Sequence, residues 1–218
     1  MDPPAVGGRA KRGLDLAIAV PLLVGTSPAF VAIAAWVRLT SRGPAIFRQE
    51  RVGLHGHRFN LLKFRTMVVG AEAMGAGLAV SDGDSRITKA GAILRRLSLD
   101  ELPQLANVVR GDMSIVGPRP TVASQVEHYD DRQRQRLLAR PGVTGWAQVN
   151  GRNEIPWSTR IELDLEYIDR WSLARDLWIL VRTAGVVLGR RGTYRGEVGG
   201  FDLPKRTNDT TTTGNPLG

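Results

Sequence analysis

Residues Ser98 to Pro120, SLDELPQLANVVRGDMSIVGPRP, set two adjacent carboxylates, Asp100 and Glu101, just after Arg95 and Arg96 and ahead of Arg119, which lies between two prolines. Acids among arginines suit phosphate chemistry. A carboxylate attacks an electrophile or holds a divalent metal, and guanidinium forks take up the charge of phosphate oxygens. The spacing Ser98-Leu99-Asp100-Glu101 fits a capping box, in which Ser98 caps a helix and Glu101 returns the bond from the third helical position. Pro103 then falls past the first turn and removes a backbone bond. The alternative is a helix that starts near Pro103, with the pair at its entry beside the positive end of the dipole. Both readings put the acids at a disturbed helix start and predict an ionised, exposed Asp100.

The chain that must position them has 218 residues, enough for one ordinary core or for one domain plus a membrane segment. It has no cysteine, which excludes disulfides, thiolate metal sites and a cysteine nucleophile. No G-x-G-x-x-G, Walker, G-x-S-x-G or H-E-x-x-H pattern is present, so dinucleotide, P-loop, serine-hydrolase and zincin readings lose their usual support.

The net charge of +9 is concentrated. Residues 1 to 65 hold ten Lys or Arg against Asp2, Asp15 and Glu50, which gives +7, and the remainder carries +2. This excess hugs the 22 uncharged residues from Leu16 to Val37. A basic collar beside an apolar stretch favours anionic lipid over a nucleic-acid face. The stretch is long enough to cross a hydrocarbon core of about 30 Å as one helix. Against a simple span stand Pro21 and the central Ser27-Pro28, where proline breaks the ladder and the serine hydroxyl can take a freed carbonyl. Lys11 and Arg12 precede the stretch while Arg38, Arg42, Arg48 and Arg51 follow it, so positive charge marks both ends as cytoplasmic. A hairpin that enters and leaves one leaflet satisfies both observations.

Further on, 45–52 and 58–64 read as two strands joined by a glycine turn. His55 and His57 in that turn lack a third ligand and read as solvent-facing rather than as a metal site. Alternation places Lys63 and Arg65 on one strand face if the strand continues that far. Residues 70–84 are small and glycine-rich, a mobile loop in this reading. Residues 86–97 read as a helix, and 103–110 as another stopped by Gly111. The run 125–140 reads as a charged, solvated helix, and Trp146 as buried. Ile161, Leu165 and Ile168 make an amphipathic helix. Trp178 and the run 177–188, with Arg175 and Arg182, fit either a helix at a bilayer surface or ordinary core packing.

KRGLDLAIAVPLLVGTSPAF, RQERVG, KFRTM, RITKAGAILRRLSLDELPQL, GDMSIVGPRP and RPGVTGWAQVNGR, in this order, resemble the bacterial sugar transferases called polyprenyl-phosphate phosphoglycosyl transferases. The resemblance covers roughly residues 9 to 188. It implies Asp100 as nucleophile and Glu101 as its magnesium-binding or assisting partner. It also implies phosphate or nucleotide contacts by Lys63, Arg65, Arg86, Arg95, Arg119 and Arg152, and a re-entrant membrane helix broken at Ser27-Pro28, with Lys11 and Arg12 toward membrane lipid and lipid phosphate.

The resulting expectation is a helix-rich α/β fold with a small β-hairpin and surface amphipathic helices. Its parts would be a disordered N-terminus at 1–10, a re-entrant hairpin at 11–40, a catalytic domain at 41–189 and a mostly disordered tail at 190–218. The expected activity is transfer of a sugar-1-phosphate from a UDP-sugar to a polyprenyl phosphate, with Mg2+, at the cytoplasmic face of the bacterial inner membrane, with no nucleic-acid partner. The competing class is a basic membrane-anchored module that binds anionic lipid or nucleic acid; it gives no reason for two acids among arginines. The residues leave the sugar, the pathway and the oligomeric state open, a homodimer included.

Overall fold

A computed structural model describes residues 5–74, 80, 83–151, 154–188 and 202–203. The chain opens with α1 (Gly8–Gly25) and α2 (Ser27–Thr40), separated at Thr26 and bent by 61°. The bend follows from Pro28, which brings no N–H to the carbonyl of Val24 four residues earlier. Ser27 Oγ donates to that carbonyl at 2.7 Å, and Thr26 Oγ1 donates to Leu22 O at 2.6 Å. Among the described residues no single helix is long and apolar enough to cross a membrane, but the bent pair is so in combination. Val20, Leu22, Val24, Val31 and Leu39 all stand exposed on it.

Strands β1 (Ile46–Val52) and β2 (Arg58–Phe64) form the expected antiparallel hairpin, with Ile46 opposite Phe64 and Phe47 opposite Lys63. Helices α3 (Lys89–Arg96) and α4 (Gln104–Arg110) flank a single 3-10 turn, Leu99–Glu101. Strand β3 (Ser114–Val116) pairs in parallel with β4 (Gly142–Thr144), separated in sequence by the short helices α5 (Ala123–Val126) and α6 (Asp131–Arg134). The short α7 (Trp146–Val149) leads to α8 (Trp157–Asp169) and α9 (Leu173–Leu188). The main core joins Leu61 of β2, Leu105 and Val108 of α4, Ile115 and Val116 of β3, Tyr167 of α8 and Ile179 of α9. A second cluster, Val37, Ala45, Phe64 and Leu94, ties α2 to the hairpin and to α3.

The first half of α1 is built into this core. Lys11 Nζ lies 2.7 Å from Asp176 Oδ2, both buried. Arg12 donates to Val108 O at 2.5 Å and Val109 O at 2.8 Å, serving carbonyls at the C-terminal end of α4. Asp15 accepts from Ser114 Oγ at 2.8 Å and Ile115 N at 2.9 Å. Lys11 and Arg12 therefore face protein partners rather than lipid phosphate, because a charge placed in this core must be paired there.

Other boundaries move for local reasons. The helix expected at 86–97 begins at Lys89, where Thr88 caps it by accepting from Gly91 N at 2.9 Å. The charged run 125–140 is no continuous solvated helix. A capping box of Asp130 and Gln133 starts a new turn within it, and Arg136 is buried. Residues 1–4, 75–79, 81–82 and most of the expected tail lie outside the described residues. Within that tail Asp202 is docked: its carboxylate accepts from Ser158 N and Oγ at 2.9 and 2.6 Å.

Candidate active site

Asp100 and Glu101 are carried by the 3-10 turn between α3 and α4. Ser98 enters it at φ 54°, a left-handed conformation that costs a non-glycine residue energy and turns the chain sharply. Its side chain caps nothing, so the capping box is not formed, and α4 begins after Pro103 as the alternative reading required. The expected exposure of Asp100 is also corrected: the residue is only 7% exposed. Burial pushes its carboxyl above the usual range, with Glu101 adding to the rise, while Lys63, Arg95 and Arg119 pull it down.

Three cations line the cavity beside this pair, from β2, from α3 and from the loop that follows β3. Lys63, on β2, donates to Glu101 Oε1 at 2.8 Å and lies 4.0 Å from Asp100 Oδ2. Its strand is locked to α4 by buried Asn107, which accepts from Leu62 N at 3.1 Å and donates to Asn60 O at 2.8 Å. Arg95, on α3, donates to Thr66 Oγ1 at 2.9 Å and borders the same cavity. Gly91 permits that approach, since a Cβ there would lie 2.0 Å from Thr66 O. Arg119 Nη2 lies 3.6 Å from Glu101 Oε1. Its segment is fixed on both sides, where Pro118 O accepts from Gly142 N and Thr121 O accepts from Val52 N, each at 2.8 Å.

Other residues named from the sequence are not brought to the acids. Arg65 borders the cavity, but its guanidinium donates to Arg42 O at 2.6 Å and to Ser41 O and Oγ at 2.8 Å, fastening the exit from α2. Arg86 donates to Ala71 O, Met74 O and the Asp84 carboxylate, which it holds down to about 2. Both serve to fasten loops. Ser27 and Pro28 form the bend of the N-terminal helices. Arg152 lies outside the described residues.

The cavity measures about 1290 Å³, larger than the roughly 300–1,000 Å³ of common ligand pockets. Besides the acids, Lys63, Arg95 and Arg119, its walls include Arg51, read from the sequence only as part of the basic collar, and Arg136, Gln148, Arg160 and Asp164, which the sequence did not single out. Arg136 Nε bonds Asp164 Oδ2 at 2.7 Å, and Arg136 Nη2 donates to Arg119 O at 2.6 Å. Burial and the nearby Arg119 charge push Arg51 down to about 10, and burial with Arg119 and Arg136 does the same to Arg160. So many crowded guanidiniums make a site for anions. One signal for Asp164 was legible: an acid between Ile161 and Leu165 falls on the apolar face of its helix.

The donor set also fits a magnesium ion. Mg2+ is held by one or two carboxylates together with substrate phosphates, and Asp100 and Glu101 offer two. Among the described residues no group of three or more His, Cys, Asp or Glu stands ready to form a closed cage.

Residues 6–190 match the family model described as bacterial sugar transferase. The chain is 46% identical over 182 residues to the "Uncharacterized sugar transferase EpsL" of Bacillus subtilis (strain 168), covering 84% of this chain and 89% of that one. It is 40% identical over 203 residues to the exopolysaccharide production protein ExoY of Rhizobium meliloti (strain 1021), covering 87% and 90%. It is 47% identical over 193 residues to the UDP-glucose:undecaprenyl-phosphate glucose-1-phosphate transferase of Xanthomonas campestris pv. campestris, covering 85% of this chain and 40% of that longer one. With a family match over nearly its whole described length, the chain belongs to the bacterial sugar transferase family and is an enzyme of that type.

Proposed function

We propose that the protein moves a sugar-1-phosphate from a UDP-sugar to undecaprenyl phosphate at the cytoplasmic face of the inner membrane, opening the assembly of a bacterial glycan such as an exopolysaccharide. The observation that carries this reading is the buried Asp100, beside Glu101, in a cavity walled by Lys63, Arg95 and Arg119. The names of the relatives agree with it.

In this reading an Asp100 carboxylate oxygen attacks the phosphorus that bears the sugar. The bond to UMP breaks, its electron pair leaves on the UMP phosphate, and an acyl-phosphate ester remains on Asp100. An oxygen of the lipid phosphate then attacks the same phosphorus and expels the Asp100 carboxylate. Splitting the transfer lets two anionic substrates use one site in turn. A carboxylate whose basicity is raised by burial is the better nucleophile once ionised, and Lys63 and the arginines favour that ionised form. Those cations also offset charge on the phosphoryl oxygens. Asp100 and Glu101 would hold Mg2+, which would supply positive charge to offset that of the diphosphate.

The bent α1 and α2 pair, both ends of which are fastened to the catalytic domain, supports a re-entrant insertion rather than a span. The exposed Leu173, Leu177, Trp178 and Val181 give α9 an apolar face suited to the same membrane surface.

Purified protein with undecaprenyl phosphate and a panel of UDP-sugars should release UMP. With a UDP-sugar alone, intact-mass measurement should find a phosphosugar adduct that disappears in Asp100→Asn. An adduct that survives this substitution overturns the nucleophile, and a panel that yields no UMP overturns the activity.

A further inference from the structure

The mechanism uses the acids and the cations beside them, but one stretch of the cavity wall is left with polar atoms that nothing among the described residues satisfies. Gln148 of α7 is 7% exposed and lines the cavity, yet among the described residues neither its Nε2 nor its Oε1 has a hydrogen-bond partner. Asp164 of α8 is 1% exposed and also lines it. Its Oδ2 takes the Arg136 bond, while its Oδ1 is unmatched. Helix α7 packs against α8, so the two residues stand on adjoining walls. Leaving a buried polar group unmatched costs stability, so such atoms mark a place where a ligand brings complementary ones.

The chemistry of the ligand follows from the atoms. Gln148 needs an acceptor and a donor side by side. Phosphate oxygens only accept and would leave Oε1 unmatched, whereas the imide edge of uracil sets a carbonyl next to an N–H and matches a carboxamide through two bonds. Asp164 Oδ1 needs a donor, which a ribose hydroxyl supplies. Arg136 connects this wall to the acids, because its Nη2 holds the carbonyl of Arg119, whose own guanidinium lies 3.6 Å from Glu101. Resting on the nucleotide-sugar reading above, we propose that this wall is the nucleoside subsite of the donor, in which Gln148 pairs with the edge of the uracil and Asp164 accepts from the ribose.

The test uses the full chain in detergent and calorimetric binding of UMP, 3-methyl-UMP, which lacks the imide N–H, and 2′- and 3′-deoxy-UMP. Native protein should bind 3-methyl-UMP and one of the two deoxy compounds about tenfold more weakly than UMP, the equivalent of about 1.4 kcal/mol. Gln148→Leu should bind UMP and 3-methyl-UMP equally while keeping its preference for the ribose hydroxyl. Equal binding of UMP and 3-methyl-UMP by the native protein overturns the role of Gln148, as does a difference that persists in Gln148→Leu. Indifference to both deoxy compounds overturns the role of Asp164. Should Gln148→Leu not fold, the native protein with 3-methyl-UMP still decides. UMP selectivity without UDP-sugar turnover would sink the activity and leave the subsite, and turnover with an indifferent 3-methyl compound would do the reverse.

Discussion

Lys63 Nζ lies 2.8 Å from Glu101 Oε1 and 4.0 Å from Asp100 Oδ2, so one cation bridges the two acids while bonding only the second. Glu101 thereby holds in place a charge that favours the ionised form of Asp100. The strand that delivers Lys63 is itself pinned through Asn107.

Lys63→Met should lower kcat/KM at neutral pH by about 10²-fold, the order seen when one charged transition-state partner is removed. The loss should be pH-dependent with a definite sign. Lys63 pulls the Asp100 carboxyl down, so its removal lets that pKa climb further and moves the acidic limb of the pH–rate profile to higher pH. Activity should partly recover in alkaline buffer. A profile that drops uniformly without shifting would show that Lys63 serves position rather than ionisation.

Asp100→Asn should abolish turnover and stabilise the protein. Burial raises the Asp100 pKa in the folded state, so the native protein holds this proton to higher pH than the unfolded chain does. The ionised group costs stability above its folded pKa, and the cost vanishes as pH falls below its unfolded value near about 4. The neutral amide escapes that cost, and Lys63 keeps its closer partner in Glu101. The Tm of the variant should exceed that of the native protein at about pH 8 by a few degrees, since about 1 kcal/mol moves a chain of this size by about 2–4 °C. The gap should close on acidification; a lower Tm at every pH would contradict it.

What was legible in the sequence was local and periodic. The β1 and β2 hairpin, the stop at Gly111 and the Ser27-Pro28 break each follow from a few neighbouring residues, and the structure has all three. The acids and Arg119 stand out by type, but their spacing fits a plain cap and a plain turn equally well, and their roles are implied only by the resemblance to the sugar transferases. What could not be read was which charges the fold would take for itself. Arg65 and Arg86 look like Arg95 and Arg119 in sequence, and only the tertiary path of residues 41–42 and 71–74 turns them into loop clamps. Arg136 sits in a run that reads as solvated surface, and its burial depends on Asp164, 28 residues away.

Arg119 and Arg86 should therefore separate cleanly on substitution. Arg119→Lys keeps a charge but loses the planar fork, so it should raise KM for the donor and lower kcat at unchanged Tm. Arg86→Ala should lower Tm by several degrees, because it strips Asp84 and two carbonyls of their donor, while the surviving folded protein keeps its KM. Thermal melts beside steady-state kinetics check both; an elevated KM in Arg86→Ala would return Arg86 to the site.

Chelation supplies an independent check on the acids as metal holders. Two carboxylates make a weak site on their own and a stronger one with the donor's phosphates. Activity should thus vanish in chelator and return fully with added Mg2+, without loss of fold by circular dichroism. Full turnover in chelator would remove metal from the site.

The topology of the N-terminal pair rests on its two anchors more than on its collar of positive charge. At one end Lys11 is bound to Asp176 and Asp15 to the backbone of β3; at the other, Arg65 holds Ser41 and Arg42. A helix crossing the bilayer would have to carry one of these ends to the far face and break its anchor. Losing the Lys11 partner alone would leave Asp176 buried and charged, at a cost of about 3–5 kcal/mol. Both ends should accordingly lie on the cytoplasmic side, with the bend at Thr26 nearest the bilayer centre. The chain has no cysteine of its own, so Ala5→Cys and Ser124→Cys report cleanly. In intact cells neither should react with a membrane-impermeant thiol reagent, and both should react in inverted vesicles. Labelling of Ala5→Cys but not Ser124→Cys from outside would establish a span and show that the anchors at Lys11 and Asp15 do not hold in the membrane.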